Sequence, residues 1–320
     1  MRIASLVPSA TEFLFAMGLG DRVVAVTHEC DYPLEALELP QLTTSVVEAG
    51  LAPGEIDATV RDRVGRGESL YELDEELLEE AEPDLIVAQQ LCEVCAVSYE
   101  DVVKVAARLP SNPRVISLDP TTMGEVLGDV RTIAQAVDDV SLFKANGTTE
   151  AAESAKDLGV DLVQELADRI DDVKIALRDV GREGGPDPVR VAALEWLDPP
   201  FIGGHWVPQM IELAGGIDFL GLPGERSREV DWDELRASEP DVVILMQCGY
   251  DTSRAAAEAE DYSEKLRSLG ARAIYACDAS AYFSRPGPRL VDGLELLAYT
   301  LHPDVMEEPL FGRMLEVELG

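Results

Sequence analysis

One phrase is written twice in this chain, and the repetition constrains the fold more than any other feature. EPDLIVAQQLCEVC begins at Glu82, and EPDVVILMQCGYD begins at Glu239. In both copies a helix-like segment stops before a proline, which disfavours helix in the residue ahead of it. A continuous apolar run follows, Leu85–Ala88 in one copy and residues 242–246 in the other. Such a run is typical of a parallel strand covered on both faces, so the copies predict two similar α/β units.

A second pair of segments repeats in the same order. Residues 2–6 (RIASL) resemble residues 190–194 (RVAAL), and a turn and a helix ending in glycine follow each of them. Two matched pairs favour an internal repeat over the chance recurrence of α/β segments. With a further strand at residues 23–27, the predicted fold class is α/β, with two similar lobes that each contain a mostly parallel sheet.

The lobes are predicted to be joined by one long α-helix. From residue 162 to residue 180 apolar side chains recur at the helical period. Thr148 or Thr149 would cap the start and Gly181 would end the helix, giving about 33 residues and roughly 50 Å. A ligand cleft would lie between the lobes, and the stiff helix would restrict its closure. The predicted domains are an N-terminal lobe (1–145), a bridging helix and turn (146–184) and a C-terminal lobe (185–320).

The excess of acidic residues predicts a protein adapted to high salt. The chain has 26 basic and 62 acidic residues and a net charge of −36, with the acids spread through apolar-periodic segments. This is typical of a folded halophilic protein from an acidic proteome, because molar salt shortens the screening length to ~3 Å and removes most self-repulsion. The same charge argues against nucleic acid as a partner, since the phosphates would be repelled.

Other bulk features exclude further classes of protein. No apolar window approaches the roughly 18 residues of a membrane helix, so no membrane span is expected. The N-terminus lacks a basic region followed by an apolar stretch, which predicts a cytoplasmic location, with an extracellular or membrane-associated one as the alternative. Five cysteines in a chain of 320 residues do not form a disulfide framework. Because GxSxG, Walker, HExxH and complete dinucleotide-binding patterns are missing, we do not expect an enzyme.

Candidate ligand contacts follow the ends of the predicted strands, where open parallel sheets bind their ligands. Trp196 and Trp206 share one Gly/Pro-rich loop, which favours either a flat apolar contact surface or simple loop packing. Ser9 and Glu12 form a predicted capping box, whose N–H groups could also meet a polar ligand. The strand-end candidates are His28, Cys30, Asp31, Tyr32, Gln89, Gln90, Cys92 and Cys95 in the first lobe, and Glu195, Trp196, Phe201, His205, Trp206, Gln247, Cys248, Tyr250, Tyr282, Phe283 and Arg285 in the second.

A metal site is an open alternative. Cys92 and Cys95 form one C-x-x-C pair, which is a weak zinc signal without a second pair or paired histidines. The repeat predicts that Cys92 or Cys95 approaches Cys248 across the cleft, with His205 nearby. The cysteines could equally pack as small apolar residues. The metal candidates are Cys92, Cys95, His205 and Cys248.

Several segments resemble one known family. They are RIASLVPSATEFLFAMGLGDRVVAVTHECDYP, EEAEPDLIVAQ, IELAGGID, ASEPDVVIL and SRPGPRLVDGLELLAYTLHP. In this order they resemble the substrate-binding proteins of cobalamin and iron-siderophore ABC importers, nearest to the cobalamin-binding branch and to a subgroup without a signal peptide. The resemblance implies two lobes joined by a long helix, and one acid on each lobe that docks onto arginines of the permease. These acids would be Glu76 and Asp233, or else both are ordinary solvated acids at helix starts.

The sequence thus predicts a non-catalytic protein that binds a cobalamin-type corrinoid. No cofactor is required; the expected partners are the small ligand and an ABC permease, and the protein is expected to be a monomer. The alternatives are a cytoplasmic metal or metal-chelate (iron-siderophore or heme) binding protein, or an enzyme with a Cys/His metal site. The predicted ligand contacts are Ser9, Tyr32, Gln90, Trp196, His205, Trp206, Gln247, Tyr250, Phe283 and Arg285.

Overall fold

The computed structural model describes residues 1–48, 50–90, 97–144 and 154–319. They form two compact units, which we call unit 1 (Met1–Pro120 with Glu125–Glu165) and unit 2 (Thr121–Gly124 with Leu166–Gly320). Strands alternate with helices in each unit, so the predicted α/β class with two lobes is confirmed. No helix of the described ranges is both long and apolar enough to cross a lipid bilayer.

Unit 1 is built on a parallel sheet. In chain order its strands are β1 (Ile3–Ser5), β2 (Val23–Ala25), β3 (Thr43–Ser45), β4 (Tyr71–Leu73), β5 (Leu85–Ala88) and β6 (Arg114–Ser117). The helices up to residue 176 are α1 (Pro8–Ala16), α2 (Pro53–Gly65), α3 (Glu75–Glu80), α4 (Tyr99–Ala106), α5 (Met123–Lys144) and α6 (Ala155–Ala176). The sheet has the strand order β2–β1–β5–β6, while β3 and β4 form a separate antiparallel pair. Every residue of β1 and β5 is buried, as expected for strands covered on both faces.

Unit 2 is built on a larger, mixed sheet. Its strands are β7 (Val189–Leu197), β8 (Pro200–Ile202), β9 (Gly216–Asp218), β10 (Arg228–Glu229), β11 (Val242–Leu245), β12 (Ala273–Ala276) and β13 (Leu315–Glu316). Its further helices are α7 (Val207–Leu213), α8 (Trp232–Ala237), α9 (Thr252–Asp261), α10 (Ser263–Arg267), α11 (Ala279–Tyr282) and α12 (Leu290–Leu301). The strand order is β10–β8–β7–β11–β12–β13, with β9 also paired to β7. The central strands β7, β11 and β12 are parallel, and antiparallel strands are added at the edges.

The repeated phrases form the same hydrogen bonds in both units. In unit 1 the backbone N–H of Arg2 donates to Oδ2 of Asp84 (2.8 Å), and the N–H of Asp84 donates back to the carbonyl oxygen of Arg2 (2.8 Å). In unit 2 the N–H of Arg190 donates to Oδ2 of Asp241 (2.9 Å), and the N–H of Asp241 returns to the carbonyl oxygen of Arg190 (2.8 Å). This reciprocal pair, which we call the strand-start clamp, lies at the start of the parallel pairing of β1 with β5 in unit 1 and of β7 with β11 in unit 2. Arg2 therefore corresponds to Arg190, and Asp84 to Asp241, in the predicted internal repeat.

The same local rules begin and end the helix before each repeated strand. Asp74 and Asp231 are the N-caps of α3 and α8, and each carboxylate accepts a hydrogen bond from the first turn of its helix. After each helix a glutamate adopts left-handed backbone, with φ of 42° at Glu82 and 46° at Glu239. A left-handed residue followed by proline cannot continue a helix. Both strands therefore start directly after the proline and aspartate, as predicted.

The predicted helix over residues 148–180 is wrong in its length. The helix in this stretch is α6, Ala155–Ala176, and the described residue before it, Ser154, is not helical. Twenty-two residues at 1.5 Å each make α6 about 33 Å long. The predicted caps Thr148 and Thr149 lie outside the described residues. The predicted domain boundaries stay a prediction.

The start of α6 is fixed by a side chain of another helix. Asp138 of α5 accepts three hydrogen bonds, from Oγ of Ser154 (2.5 Å) and from the backbone N–H groups of Ala155 (2.9 Å) and Lys156 (3.2 Å). The N–H groups of Ala155 and Lys156 belong to the first turn of α6, where backbone N–H groups have no carbonyl partner within their own helix. Because this cap is contributed from a distant position in the chain, sequence spacing around residue 148 could not reveal it.

Strand β7 runs further than predicted. We expected a strand over residues 190–194 and then a loop, but β7 continues to Leu197 and pairs with β8 as an antiparallel hairpin. Trp196 therefore lies in a strand, opposite Phe201, and does not share a loop with Trp206. The Pro-rich spacing suggested a loop because proline interrupts most strands, yet proline is tolerated at strand starts and edges.

Candidate ligand-binding site

The parallel pairing of β7 and β11 stops after Leu194 and Leu245, and candidate residues follow on both strands. The N–H of Cys248 donates to the carbonyl oxygen of Glu195 (3.2 Å), so the two segments stay together beyond the sheet. Cys248 is exposed, whereas Gln247 is fully buried. The repeated Gln-Cys ending thus places one residue in the interior and the next at the surface of unit 2.

Glu195 is a largely buried carboxyl group held by two donors. Oγ of Ser227 donates a short hydrogen bond to Oε2, and the N–H of Gly204 donates to Oε1 at 3.4 Å. Burial raises the pKa of Glu195 to about 7, although the two donors act in the opposite direction. Position 204 requires glycine, because a Cβ there would come within 2.1 Å of the backbone nitrogen of Ser227. No sequence pattern pointed to Ser227, which comes from a separate loop.

His205 holds a strained backbone conformation beside this carboxyl group. Its φ is 52°, in the left-handed region that residues other than glycine rarely adopt. The N–H of His205 donates to the carbonyl oxygen of Glu225 (2.6 Å), and the N–H of Gly224 donates to the carbonyl oxygen of His205 (2.8 Å). Burial, assisted by the charge of Arg226, lowers the pKa of His205. A neutral imidazole of this kind can accept a hydrogen bond or ligate a metal.

Trp206 and Phe283 do not present the flat faces that we expected. Trp206 is 5% exposed and Phe283 is 2% exposed. The indole N–H of Trp206 donates to the carbonyl oxygen of Phe283 (2.7 Å), which fixes the ring inside unit 2. This arrangement agrees with the alternative of loop packing for Trp206. A ligand contact by either ring stays a prediction.

Trp196 and Tyr250, two of the predicted ligand contacts, lie against each other in unit 2. Their rings meet edge to face with centroids 5.6 Å apart, and Trp196 is partly exposed. The guanidinium group of Arg254 lies over the other ring, 3.7 Å from the centroid of Tyr250. Arg285, the predicted cationic contact, is partly buried in the same unit. Sequence reasoning missed Arg254 because it lies on α9, whose acidic sequence is typical of a solvated helix.

In unit 1 the predicted capping box of Ser9 and Glu12 is wrong. Helix α1 begins two residues earlier than a cap at Ser9 implies, at Pro8, and its N-cap is Val7, which makes no side-chain cap. Proline suits the first helical position because its missing N–H would have no partner there. Ser9 and Glu12 are each only 3% exposed, so Ser9 offers little surface to a ligand in this conformation.

The loop after β2 combines buried and exposed candidates. Cys30 is buried against the hydroxyl groups of Thr11 (3.2 Å) and Thr27 (3.3 Å), as a small packed residue would be. Nδ1 of His28 lies 2.7 Å from Oγ1 of Thr43. Tyr32 is 46% exposed, which makes it the aromatic candidate of unit 1 with the most accessible ring.

The strand end after β5 is described only in part. The N–H of Gln90 donates to Oδ1 of Asp119 (2.6 Å), and the side chain of Gln90 is exposed. Cys92 and Cys95 lie outside the described residues, and so does the predicted approach of either cysteine to Cys248. Within the described ranges no group of three or more His, Cys, Asp or Glu side chains is arranged to hold a metal ion.

The two predicted docking acids occupy equivalent places in the repeat. Glu76 and Asp233 are the second residues of α3 and α8, and both are exposed. Their environments differ, because Asp233 forms an ion pair with Arg236 (2.6 Å) one turn along the helix. The arginine is itself held by the carbonyl oxygen and the hydroxyl group of Ser268 (3.2 Å each). An incoming cation at Asp233 would therefore compete with a fixed internal one.

Known proteins are similar to this chain over most of its length. No protein-family model matches it. It is 22% identical to the vitamin B12-binding protein of Vibrio cholerae, over 92% of this chain and 86% of the relative. It is 24% identical to an uncharacterized ABC transporter substrate-binding lipoprotein of Bacillus subtilis, over 96% of this chain and 82% of the relative.

Solved structures share the fold. The crystal structure of the periplasmic vitamin B12-binding protein of V. cholerae superposes with a TM-score of 0.63 at 20% identity, covering 94% of this chain and 96% of that one. A periplasmic heme-binding protein from Roseiflexus sp. RS-1 in its apo form gives 0.64 at 20% identity, covering 95% and 99%. The chain therefore shares the fold of these two periplasmic binding proteins. These relatives and neighbours are binding proteins and not enzymes, which agrees with the resemblance seen in the sequence segments.

Proposed function

We propose that this protein is the substrate-binding component of an ABC importer and that its ligand is a corrinoid of the cobalamin type. The observation that carries the proposal is the similarity to the V. cholerae vitamin B12-binding protein, which extends over 92% of the chain. The shared fold supports it at the level of architecture. Small-molecule binding at strand ends is also what an open parallel sheet favours.

The side chains best placed for ligand contact are those that combine suitable chemistry with exposure. Tyr32 and Trp196 can cover flat apolar surface, Gln90 can exchange hydrogen bonds, and Arg285 can pair with an anionic group such as a phosphate. His205 offers a neutral imidazole. Ligand contact by each of these residues is a proposal that a bound structure would test directly.

Titration with cyanocobalamin tests the proposed ligand. We expect saturable one-to-one binding by calorimetry and a change in the visible spectrum of the corrin, measured in molar KCl. A Trp196→Ala variant should bind about tenfold more weakly, because removal of a stacking aromatic face costs roughly 1–2 kcal/mol. The matched control is Trp232→Ala, a tryptophan on α8 of the same unit. Absence of heat and of a spectral change at high micromolar cyanocobalamin would contradict the assignment.

Heme is the second candidate ligand. The specific observation in its favour is the similar TM-score of the Roseiflexus heme-binding protein, 0.64 against 0.63. The neutral imidazole of His205 is chemically able to ligate iron. Hemin should then give a shifted Soret band that His205→Ala abolishes, while cyanocobalamin gives no response.

The permease partner and the cellular location are separate proposals. If Glu76 and Asp233 dock onto a permease, Glu76→Arg should abolish ligand uptake in cells without changing ligand affinity in solution. Asp233→Arg should have a smaller effect, since Arg236 already neutralises part of that charge. Fractionation of cells with an antibody to the protein decides between the cytoplasm and the cell surface.

A further inference from the structure

Two buried polar atoms without hydrogen-bond partners lie in the loop that follows β11. They are Oε1 of Gln247 and the hydroxyl oxygen of Tyr250, and they are two of the five such atoms among the described residues. Gln247 is 0% exposed and Tyr250 is 2% exposed. An unpaired polar atom in the interior is destabilising, because its lost hydrogen bond to water is not replaced. Two of them in one loop therefore call for a physical reason.

A third polar group faces both atoms. Glu258 of α9 accepts a long hydrogen bond from Nε2 of Gln247 (3.5 Å). The hydroxyl group of Tyr250 lies beside the same carboxyl group, and burial together with this neighbour raises the pKa of Tyr250 to about 12. Burial also raises the pKa of Glu258, against the opposing effects of Tyr250, Gln247 and Arg254. The three side chains are thus held close together in a partly desolvated setting, in which Oε1 of Gln247 and the hydroxyl oxygen of Tyr250 have no hydrogen-bond partner.

The surroundings of this trio connect it to the surface. It lies at the carboxyl end of a central parallel strand, where ligands of such sheets bind. Glu258 is partly exposed, and the exposed side chain of Arg254 covers the ring of Tyr250 from outside. Trp196 meets the same ring edge-on. Arg254, which is exposed, and Trp196, which is partly exposed, thus both contact the ring of Tyr250.

We propose that Gln247, Tyr250 and Glu258 form a hydrogen-bonding subsite for a carboxamide group of the ligand. A carboxamide carries two N–H donors and one carbonyl acceptor. The donors match Oε1 of Gln247 and the carboxyl group of Glu258, and the acceptor matches the hydroxyl group of Tyr250. The inference deepens the proposed function and rests on it, because the corrin ring carries carboxamide side chains around its edge. Heme carries carboxylates instead. A carboxylate has no N–H donors, so it would face Oε1 of Gln247 and the carboxyl group of Glu258, which are both acceptors.

The test compares two ligands and three variants in molar KCl. Gln247→Met removes the acceptor Oε1 at nearly constant volume. Glu258→Gln replaces the carboxyl group with a neutral amide. Glu260→Gln makes the same replacement elsewhere on helix α9 and is the matched control. We expect Gln247→Met and Glu258→Gln each to weaken cyanocobalamin binding about tenfold, which corresponds to 1.4 kcal/mol. The control should stay within about twofold. Hemin, which has no carboxamide groups, should be affected equally little by all three substitutions.

A second measurement separates a ligand subsite from a structural role. Gln247→Met removes an unpaired buried acceptor and only one long donor contact, the 3.5 Å bond from Nε2 to Glu258, so the melting temperature of the ligand-free protein should stay unchanged or rise. A fall of several degrees in Gln247→Met would show that the amide supports the fold, and would overturn the subsite. Unchanged cyanocobalamin affinity in both variants would overturn the subsite while leaving the proposed function intact. Failure of the unmodified protein to bind cyanocobalamin would overturn both.

Discussion

Glu195 shows how one carboxyl group can link the stability of unit 2 to pH. Its ordinary pKa is 4.5, and burial raises it to about 7 in the folded protein. The folded state thus holds its proton more tightly than the unfolded state does. As pH rises from 4.5 to about 7, the unfolded state releases this proton first, so the contribution of Glu195 to stability declines over that interval and is lost above it.

Substitution of Glu195 should reveal this linkage. Glu195→Gln removes the titrating group, so the stability of the variant no longer contains this pH-dependent contribution. Relative to the unmodified protein, the unfolding free energy of the variant should therefore increase by up to about 3 kcal/mol as pH rises from about 4.5 to 8. Urea denaturation at several pH values in constant KCl measures it. Glu225→Gln, at an exposed glutamate of the adjacent loop, is the control. A difference that does not vary with pH would contradict the linkage.

Single residues were predictable where the signal was local and not where it came from a distant segment. Tyr32, Trp196 and Tyr250 follow apolar runs that the sequence marks as strands, so their places near strand ends were predictable, whereas the contact between the rings of Trp196 and Tyr250 was not. Ser227, which holds Glu195, and Glu258, which faces Gln247, belong to other loops and helices. The buried indole of Trp206 donates a hydrogen bond to the carbonyl oxygen of Phe283. These residues are far apart in the chain, so sequence spacing could not predict the contact.

Helix α6 illustrates a cap that acts between elements. Its first turn has N–H groups without partners in the helix, and the carboxylate of Asp138 in α5 accepts from two of them and from Ser154. The negative charge also sits at the positive end of the helix dipole, where it is favourable. One side chain thereby fixes both the start of α6 and its attachment to α5.

Removal of this cap should cost more than removal of the acid next to it. We expect Asp138→Ala to lower the unfolding free energy by about 1–2 kcal/mol, the range for loss of an N-cap. Asp139→Ala removes an exposed ion pair with Arg114 and should cost less than about 1 kcal/mol. Urea denaturation in molar KCl compares the two. Equal losses of unfolding free energy in the two variants would show that the cap by Asp138 contributes no more stability than an exposed ion pair.

The elements themselves show where sequence periodicity suffices. Strand β5 begins and ends where predicted, because Pro83 precedes an uninterrupted apolar run and polar glutamines come after it. Strand β7 was predicted too short. Its last residues resemble a loop in sequence, but they form backbone hydrogen bonds to β8 in the hairpin. Helix α6 was predicted too long, because periodic apolar spacing continues past the residues at which the chain leaves the helix.

At the scale of the whole molecule, charge is the property that sets the conditions for stability. A net charge of −36 on 320 residues means that carboxylates repel one another across every exposed surface. Such repulsion destabilises the compact state unless salt screens it. At molar ionic strength the screening length falls to ~3 Å, which is shorter than most distances between surface charges.

Stability should therefore depend steeply on salt. We expect the melting temperature, followed by circular dichroism, to fall by at least about 10 °C between about 2 M and 0.1 M KCl, because self-repulsion returns as screening is lost. Sucrose at matched water activity is a control that supplies no screening. A melting temperature that is the same in both KCl concentrations would contradict adaptation of this chain to high salt.

The strand-start clamp also has a meaning for descent. Arg2 with Asp84 and Arg190 with Asp241 make the same pair of reciprocal hydrogen bonds, after helices that begin with the same cap and stop at the same kind of residue. These coincident details are what duplication of a half-length ancestral unit would leave behind. The two copies share the framework at the strand starts and differ in the residues beyond the strands, where LCEVC follows one glutamine and CGYD follows the other.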